Sequence, residues 1–369
     1  MKKIAIMTFH RPLNYGAALQ AVATYIILEK TNFKPLLIDY RHPRIEKSRR
    51  VFDLDKKNSL YQNTKNIIKG ILRFRTENNR KNRFDSFVLE NSLMSEACAD
   101  DAQLVEATKN CDLLLVGSDL VWNWDLDKDL NNAFFLTFYG KSDKLKCSYA
   151  SSIGTNEIPE EYREKYKKYL QSFDYISVRE KTAKNILEKI SGKQIKVVLD
   201  PTLMVEEKEW EKLEKWVKVP EKYVVCYILE FTPNVIEIIR KVEEYYQLPV
   251  IYFTRDNVYG AYGVSMYKYG PAEFLFILHH AEFILTNSFH GTVFAMLYNR
   301  NFATIPHSTR GSRMRDLLME LQMSERLIRD EQGFNSLVKN GINVDYSNFE
   351  GNLERLRKES MEYIESLRG

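Results

Sequence analysis

The sequence predicts an α/β fold made of two Rossmann-like domains that face each other across a cleft. Three observations lead to this prediction. The chain has 369 residues, which is too many for one ordinary hydrophobic core. Short apolar runs alternate with helical patterns, as in parallel sheets, whose strands need crossover connections. Asp200 precedes a proline, and a residue in that position favours extended geometry, which interrupts the pattern. After this break the same cycle of strands and helices starts again.

Residues 1–200 are expected to form the first domain. The chain opens with the apolar run KKIAIMTF, continues into a helical pattern over residues 17–30, and returns to the run PLLIDY. This order is typical of a strand, helix, strand unit in a parallel sheet. Further strands of this domain are predicted at CDLLLVGS, KCSYASSI, YISVRE and KVVLDP.

Residues 201–350 are expected to form the second domain. Its helices are predicted at residues 233–246 and 271–280, and its strands at KYVVCYIL, PVIYFT, EFILTNS and NFATIP. Residues 351–369 form a separate C-terminal helix, which is charged and amphipathic over residues 352–368. Its pattern allows packing on either domain.

Residues 41–90 are predicted to be a basic helical insertion in the first domain. Residues 41–83 contain fourteen Lys and Arg against four Asp and Glu, a net charge of +10, so the rest of the chain carries −6 of the total of +4. One interpretation is a solvated helical surface. The other is peripheral contact with the inner membrane face, where each basic residue contributes about 1 kcal/mol. Interleaved apolar residues would allow a helix lying on such a surface: Phe52, Leu60, Ile67, Ile68, Ile71, Leu72 and Phe74.

The composition argues against several classes of protein. A net charge of +4 over 369 residues does not predict a nucleic-acid partner. The spacing of cysteines and histidines indicates neither a disulfide framework nor a metal site, and no cofactor is expected. No apolar stretch approaches the roughly 20 residues that span a bilayer, and the first run is too short for a signal peptide. We therefore expect a cytoplasmic protein.

Open α/β sheets bind ligands at the carboxyl ends of their strands, so polar residues that follow the apolar runs are the candidate site residues. Asn14, Tyr15 and Gly16 follow the first run. The helix after them offers free N–H groups and a positive dipole end to an anion. The alternative is a plain turn in which Asn14 caps the helix.

A second candidate turn, Gly117 to Asn123, follows the run CDLLLV. Ser118 and Asp119 would expose a hydroxyl and a carboxylate together. Trp122 and Trp124 would supply a stacking wall for a sugar ring. In the alternative interpretation the turn is only capped and the tryptophans belong to the core.

The remaining candidates are Arg179 and the segment TNSFHGT, residues 286–292. Arg179 ends a strand, and its planar guanidinium suits a carboxylate or phosphate, unless it pairs with Glu180. His290 lies near a helix N-terminus, where the dipole disfavours an added positive charge and helps keep the imidazole neutral, as a general base requires. The alternative is a histidine that caps the helix.

Taken together, these segments resemble the polysaccharide pyruvyl transferase family. The resemblance is carried, in order, by IAIMTFHRPLNYGAALQ, VGSDLVWN, ISVREKTA, VLDPTL and GPAEFLFILHHAEFILTNSFHGTVFAMLYNRNF. It implies a GT-B-like architecture with the active site between the domains. It also implies transfer of pyruvyl from phosphoenolpyruvate, as co-substrate, to two hydroxyls of a sugar, giving a cyclic ketal. The acceptor would be a lipid-linked precursor of capsule or exopolysaccharide.

The resemblance assigns the acid–base role to His290. Arg179 would hold the carboxylate or phosphate of phosphoenolpyruvate, helped by Asn287, Ser288, Gly291 and Arg313. The turns of the first domain would contact the acceptor through Asn14, Tyr15, Gly16, Ser118, Asp119, Trp122 and Asn123.

One position departs from part of the family. Some members carry an arginine two places before the histidine, where this chain has Ser288. A second anion-binding group must then come from elsewhere, and the candidates are Arg11, Arg310, Arg313 and Arg315. A nucleotide-sugar glycosyltransferase and a non-catalytic sugar- or phosphate-binding module are the alternative functions, because a fold does not fix function.

Overall fold

The structure is a computed structural model that describes residues 1–50, 60–126, 128, 130–140, 144–255, 263–308 and 311–368, with the backbone alone for residues 60–70 and 72. The strands are β1 Lys3–Met7, β2 Lys34–Tyr40, β3 Met94–Cys98, β4 Leu113–Val116, β5 Leu145–Ser148, β6 Ser177–Val178, β7 Lys196–Val197, β8 Val224–Tyr227, β9 Val250–Tyr252, β10 Gly263–Ser265, β11 Phe283–Thr286 and β12 Asn301–Thr304. The helices are α1 Tyr15–Lys30, α2 Pro43–Ser48, α3 Leu60–Glu90, α4 Asp101–Thr108, α5 Glu160–Leu170, α6 Lys181–Ser191, α7 Pro201–Met204, α8 Glu207–Glu211, α9 Pro233–Tyr246, α10 Pro271–His279, α11 Phe289–Leu297, α12 Ser312–Glu320, α13 Glu331–Asn340 and α14 Phe349–Ser366.

Two parallel sheets form the centres of the two domains. The first has the order β3-β2-β1-β4-β5 and the second β10-β9-β8-β11-β12, so both share the same Rossmann-type order. Every residue of β4, β8 and β11 is buried, because helices cover both faces of each sheet. Two Rossmann-like domains were predicted, and the two sheets confirm that prediction.

Helix α1 lies between the domains. Most of its residues are buried, which is typical of a helix covered on all sides. It packs on β2 in its own domain and on α7, α10 and α11 beyond it. At its first residue the Tyr15 ring stacks on Phe274 of α10, with centroids 4.3 Å apart and planes 7° from parallel. The first turn of α1 is therefore held against the second domain.

The long helix α3 also joins the two domains. The Arg83 guanidinium forms an ion pair with the buried Glu273 at the start of α10. Arg255 of the second domain pairs with Glu77 in the same way. Arg80 lies 4.6 Å from the ring centroid of Tyr267. The predicted insertion is thus a helix that connects the domains.

These contacts change the interpretation of the basic stretch 41–83. Arg49 is buried and donates to both carboxylate oxygens of Asp85, at 2.7 and 2.6 Å. Arg80 is buried and donates to the Leu13 carbonyl at 3.0 Å. Part of the positive charge therefore serves internal contacts. Phe52 and the side chains of Leu60, Ile67, Ile68 and Leu72 lie outside the described residues.

Helix α14 crosses back to the first domain. The Leu199 amide donates to Ser360 Oγ at 2.9 Å, and the Tyr363 hydroxyl donates to the Ser148 carbonyl at the end of β5, at 2.8 Å. Ile364 is fully buried. The last helix of the chain is therefore part of the first domain's packing. Among the described helices, none combines the length and apolar character needed to cross a bilayer.

Candidate active site

A cleft of about 520 Å³ lies where the strands of both sheets end. Its first-domain lining comes from the loop after β1, the first turn of α1, α2 with its N-cap residue, and the segment between β4 and β5: Phe9, Pro12, Asn14, Ala17, His42, Arg44, Ile45, Ser48, Asp119, Leu120, Leu126 and Phe134. Its second-domain lining comes from the turns after β8, β11 and β12 and from the starts of α11 and α12: Leu229, Asn287, Ser288, Phe289, His290, His307 and Arg313.

The N-termini of α1 and α11 meet at this cleft. Asn14 caps α1, since its side chain accepts from the Ala17 amide at 3.2 Å. Ser288 caps α11, since its hydroxyl accepts from the Gly291 amide at 3.3 Å. Each helix start carries a partial positive charge, so the two together form a favourable place for an anion.

Gly16 and His290 are in direct contact across this junction. A Cβ atom added to Gly16 would lie 2.0 Å from Nδ1 of His290 and 2.8 Å from its Cε1. No side chain fits in that space while the imidazole keeps its position. The role of Gly16 is therefore to let the imidazole lie against the backbone of α1.

Asp200 is the carboxylate beside His290. Its Oδ1 lies 3.6 Å from His290 Nε2, which is buried and makes no hydrogen bond with the described residues. The same carboxylate accepts from the Thr202 amide at 3.0 Å and hydroxyl at 2.6 Å, from Ser118 Oγ at 3.1 Å and from Arg179 Nη1 at 2.7 Å. These donors fix Asp200 in place, so it presents a carboxylate to the imidazole.

The ionised form of Asp200 is strongly favoured. Burial by itself would raise the pKa of this carboxyl group, but the charges of His290 and Arg179 and the hydrogen bond from Thr202 hold the pKa well below its usual range. Asp200 is therefore a carboxylate at neutral pH.

Arg179 lies behind Asp200 and does not line the cleft. Its side chain is 1% exposed, with Nη2 3.5 Å from Asp119 Oδ1 and Nε 3.7 Å from Glu180 Oε2. Its guanidinium carbon lies 4.5 Å from the centroid of the Phe289 ring. Burial alone would lower the pKa of this guanidinium, but the surrounding carboxylates raise it. The expected donor contact is therefore revised: in this structure Arg179 holds Asp200.

Glu180 completes this buried group of charges. Its Oε1 accepts from Ser152 Oγ at 2.7 Å, whereas Oε2 has no hydrogen-bond partner among the described residues. Burial raises the pKa of this carboxyl group, and the charge of Arg179 opposes that effect. The chain of contacts Glu180, Arg179, Asp200 and His290 thus links the interior of the first domain to the cleft.

The structure brings some of the predicted site residues together at the cleft and leaves others out of it. Those that line it are Asn14, Asp119, Asn287, Ser288, His290 and Arg313, and Gly16 touches the His290 ring. The predicted residues that do not line the cleft are Tyr15, Ser118, Trp122, Asn123, Arg179 and Gly291.

Trp122 is fully buried in the first domain, where it stacks on Phe135 and donates from Nε1 to the Phe134 carbonyl at 2.9 Å. It cannot form a wall for a sugar, and the core interpretation fits instead. Asn123 is also buried and accepts from the Leu126 amide at 2.7 Å. Tyr15 is buried between the domains, and burial raises the pKa of its hydroxyl to about 12. These three residues support the site without facing it.

The residues around His290 in α11 also have structural contacts. Gly291 uses its amide for the Ser288 cap, and a Cβ on it would lie 2.4 Å from Thr286 Oγ1. Asn287 accepts from the Leu229 amide at 2.7 Å and donates to the Glu230 carbonyl at 2.7 Å. Asn287 therefore holds the turn after β8 against the site while it lines the cleft.

Among the candidates for the second anion-binding group that the structure describes, Arg313 lines the cleft. Its guanidinium carbon lies 5.7 Å from the Phe289 ring centroid. Arg11 is engaged with Glu46, at 2.9 Å from Nε. Arg315 is half exposed and lies 3.9 Å from Asp316. Arg310 lies outside the described residues.

Sequence reasoning missed two parts of the site. Asp200 was interpreted only as a break in the pattern, although it follows the run KVVL in the same way that the other candidates follow theirs. Helix α2, with His42 and Arg44 on the cleft, was assigned to the basic insertion. Position after an apolar run was the signal that would have identified Asp200.

Groups with metal-ligand spacing lie elsewhere in the described residues. They are Glu214 with His279 and His280, and Glu207 and Glu211 with His279. None of these residues lines the cleft. The four cysteines are buried free thiols, and burial raises the pKa of Cys147 to about 12.

Solved structures of UDP-GlcNAc 2-epimerases are similar to the whole chain. The enzyme from Methanocaldococcus jannaschii matches with a TM-score of 0.54 and 14% identity over 98% of this chain and 99% of that one. The enzyme from Rickettsia bellii matches with a TM-score of 0.55 and 11% identity, over 99% of this chain and 96% of that one. The enzyme from Neisseria meningitidis, bound to UDP-GlcNAc, matches with a TM-score of 0.50 and 13% identity, over 98% of this chain and 100% of that one. At these identities the likeness shows the fold alone, and it confirms the GT-B-like prediction.

The curated proteins give no significant match. The model of the family described as polysaccharide pyruvyl transferase matches residues 14–309, which include Gly16, Asp200 and His290. The chain therefore belongs to the polysaccharide pyruvyl transferase family.

Proposed function

We propose that this enzyme transfers the pyruvyl group of phosphoenolpyruvate to two hydroxyls of a sugar in a surface-polysaccharide precursor. The observation that carries the proposal is the Asp200–His290 pair, placed where the N-termini of α1 and α11 meet at the cleft. An acid–base group beside two positive helix ends suits a reaction that needs both proton transfer and an anionic donor.

The donor carries a phosphate and a carboxylate, and both need positive partners. The two helix starts supply partial charges, and Arg313 supplies a full charge on the cleft wall. In this proposal Arg313 is the second anion-binding group, which takes the place of the arginine absent at Ser288. Arg179 then acts through Asp200, as a positioning residue.

The chemistry begins with protonation of the donor's methylene carbon, C3, by the His290 imidazolium. C2 becomes electron-poor, and one sugar hydroxyl forms a C2–O bond while its proton returns to His290. The C2–O bond to phosphate then breaks and phosphate leaves with the electron pair. A second sugar hydroxyl bonds to C2, gives its proton to the departing phosphate, and closes the ketal. One phosphate is released per ketal, and no electrons are gained or lost overall.

The two ring nitrogens of His290 have separate tasks in this scheme. Nε2 faces Asp200, at 3.6 Å from its Oδ1, and this contact stabilises the positive ring after it accepts a proton. Nδ1, against Gly16, is left to exchange protons with the substrates. The arrangement follows the general rule that a buried carboxylate at one nitrogen orients the imidazole for chemistry at the other.

The proposal is tested by incubating the protein with phosphoenolpyruvate and galactose- or mannose-type acceptors. Released phosphate and the mass of the sugar are both measured. Equal amounts of phosphate and pyruvylated sugar are expected. Turnover that occurs only with a UDP- or GDP-sugar would overturn the proposal in favour of a glycosyltransferase, and binding without any turnover would indicate a non-catalytic module.

Two substitutions test the acid–base pair. His290→Ala and Asp200→Asn should each lower kcat by about 100-fold or more, because general acid–base catalysis contributes roughly 10²- to 10⁴-fold. Asp39→Asn is the matched control, since Asp39 is also a buried carboxylate paired with a histidine, His10, at 3.2 Å. Asp39→Asn should keep kcat, because neither member of that pair lines the cleft.

Two arginine variants separate donor binding from positioning. Arg313→Ala should raise the KM for phosphoenolpyruvate at least about 10-fold, because it removes a charged hydrogen-bonding partner. Arg179→Ala should chiefly lower kcat, since it leaves Asp200 without its closest cation. If Arg179→Ala raises only the KM for phosphoenolpyruvate, Arg179 contacts the donor and the positioning role is refuted.

A lipid-linked acceptor would bring the enzyme to the inner membrane face, and we propose α3 as the contact. Ile71 is 63% exposed on this helix, beside the exposed Arg75. Sedimentation with anionic liposomes should show binding that weakens as salt rises, and the charge-reversal variant Arg75→Glu should bind less. Equal sedimentation at all salt concentrations, or none at all, would end this part of the proposal.

A further inference from the structure

A second histidine lies beside a carboxylate in the same cleft. His307, in the loop between β12 and α12, lines the cleft together with His290. Its Nδ1 lies 3.5 Å from Oε2 of Glu230, and both side chains are partly buried. The distance is close to the 3.6 Å between His290 Nε2 and Asp200 Oδ1. The cleft is therefore lined by His290 and His307, each with a carboxylate neighbour.

Hydrogen bonds fix the carboxylate of Glu230 next to His307. The carboxylate accepts from the Ser308 amide at 2.9 Å and from the Ser308 hydroxyl. The Glu230 carbonyl accepts from the Asn287 side chain at 2.7 Å, and Asn287 lies in the turn that leads to His290. A carboxylate held in this way at one ring nitrogen orients an imidazole for proton transfer at the other. We therefore assign proton transfer to Nε2 of His307.

The loop that carries His307 also leads to Arg313, which is the second anion-binding group in the proposed function. This loop is compact, since a Cβ atom added to Gly311 would lie 2.9 Å from the His307 carbonyl oxygen and 3.0 Å from Cβ of Pro306. Arg313 follows in the first turn of α12 and lines the same cleft. His307 thus lies on the wall that is expected to hold the donor's phosphate.

The proposed reaction moves the protons of two sugar hydroxyls, and His290 accepts only one of them. The second hydroxyl loses its proton as it bonds to C2. The phosphate leaves with the electron pair of the broken C2–O bond and must gain a proton, because a fully deprotonated phosphate is a poor leaving group at neutral pH. An imidazole between the hydroxyl and the phosphate can carry this proton from one to the other.

We propose that His307 is this proton carrier. Its Nε2 takes the proton of the second hydroxyl as the O–C2 bond forms and then gives it to an oxygen of the departing phosphate. The imidazole therefore ends neutral, as it began. Glu230 acts through His307 as a positioning residue, because it stabilises the charged ring between the two transfers. This inference rests on the proposed function, since it assigns a second catalytic residue to that reaction.

The test follows phosphoenolpyruvate with methyl β-galactoside or methyl β-mannoside in D₂O, where the two halves of the reaction give different products. The first addition puts deuterium on C3, and its reversal returns deuterated phosphoenolpyruvate, which mass spectrometry detects. The completed reaction releases phosphate. His307→Ala should lower phosphate release about 100-fold or more and keep the deuterium exchange. His290→Ala should lose both, because it cannot protonate C3.

Three further variants complete the experiment. His307→Gln keeps most of the side-chain volume but carries no proton, so it should behave like His307→Ala. Glu230→Gln removes the charge beside His307, and phosphate release should fall about 10-fold while deuterium exchange is kept. His279→Ala is the matched control and should keep phosphate release. His279 is also paired with a glutamate, Glu214, at 2.9 Å, but neither of them lines the cleft.

The outcomes separate the proton carrier from the reaction itself. Normal phosphate release by His307→Ala and His307→Gln would refute the carrier role and leave pyruvyl transfer standing. A raised KM for phosphoenolpyruvate with unchanged kcat in both variants would show that His307 only binds the donor. Loss of deuterium exchange in both would also overturn the assignment, because His307 would then be needed for the first addition. A wild-type protein that neither exchanges deuterium nor releases phosphate would refute the proposed function, and this inference with it.

Discussion

Gly16 is the residue on which the position of His290 depends most directly. Its missing side chain leaves the space that Nδ1 of His290 occupies. Helix propensity does not explain a glycine at this place, because glycine weakens a helix by about 1 kcal/mol relative to alanine. The contact with His290 does explain it.

We therefore predict that Gly16→Ala lowers kcat about 100-fold or more, because the added methyl group pushes the imidazole away from Asp200. Overpacking should also cost about 1–3 kcal/mol of unfolding free energy. Phosphate release and urea unfolding measure the two effects. Gly351→Ala, which meets only open space in α14, is the control. Normal turnover by Gly16→Ala would show that the contact is not needed for catalysis.

Asp39 gives a prediction about pH. Burial by itself would raise the pKa of this carboxyl group, but hydrogen bonds from His10 and Arg41 lower it from 3.8 to about 2. Because the folded-state pKa lies below the unfolded one, the stabilisation by Asp39 is present above about pH 4 and is lost as the pH falls towards 2.

The variant Asp39→Asn should therefore be less stable than the wild type at pH 6, and the difference should shrink at pH 3. Urea unfolding at both values measures it. Glu362→Gln, at an exposed residue of α14, is the control. A difference between Asp39→Asn and the wild type that stays constant from pH 6 to pH 3 would contradict the assignment.

The candidate site shows what single residues in a sequence reveal. His290, Asp119 and Ser288 were predicted because each follows an apolar run at the end of a strand. Asp200 follows such a run too, but its meaning depends on His290, which lies 90 positions further along the chain and meets it only in the fold. The prediction that Trp122 faces the cleft was wrong, because a side chain near a strand end can point into the core as easily as into a cleft.

Helix α3 links the two domains through ion pairs with the second domain. Glu273 of α10 is buried and accepts from the Gly270 amide at 3.0 Å, and Arg83 of α3 is its charged partner. Without Arg83 one oxygen of that carboxylate would lose its hydrogen bond in a buried position.

We predict that Arg83→Ala lowers the free energy of unfolding by about 1–2 kcal/mol. This value is less than the cost of breaking a fully buried pair, since the Arg83 side chain is 39% exposed. Arg355→Ala, which breaks an exposed pair with Glu359, should change it by less than about 0.5 kcal/mol. Urea denaturation measures the free energy of unfolding of both variants. Equal losses in Arg83→Ala and Arg355→Ala would mean that α3 does not stabilise α10.

The strands and helices were predicted with different success. The buried strands were found because continuous apolar runs identify strands covered on both faces. The edge strands β3 and β10 were missed, since MSEAC and GVS are short and partly exposed. The length of α3 and its contacts with the second domain were missed because the helix is rich in charged residues. Its buried residues Phe84, Phe87 and Val88 were therefore not recognised as a core-facing pattern.

The molecule as a whole shares one large hydrophobic core between its domains. One cluster of buried side chains includes Ile4 of β1, Val225 of β8 and Ile364 of α14. Two separate domains were expected from chain length and repetition of pattern, and those features say nothing about how closely the domains pack. The fold class was therefore predictable and the shared core was not.

We predict that Ile364→Ala, which leaves a cavity in this shared core, lowers the free energy of unfolding by about 2–5 kcal/mol. The loss of stability should affect both sheets, so hydrogen exchange should become faster in both β1 and β8. Leu93→Ala, at an exposed position, should have little effect. Faster exchange in β1 alone would show that the domains are energetically independent.

The path of α14 also bears on how the protein is made. Ribosomes release a chain in order, so the whole second domain emerges before the helix that supplies Ile364 and Tyr363 to the first. Until then, the surface around Leu199 and Ser148 stays uncovered on the nascent chain. The first domain thus starts folding first and is completed last, and a ribosome that stalls before residue 349 would leave an apolar surface for chaperones to protect.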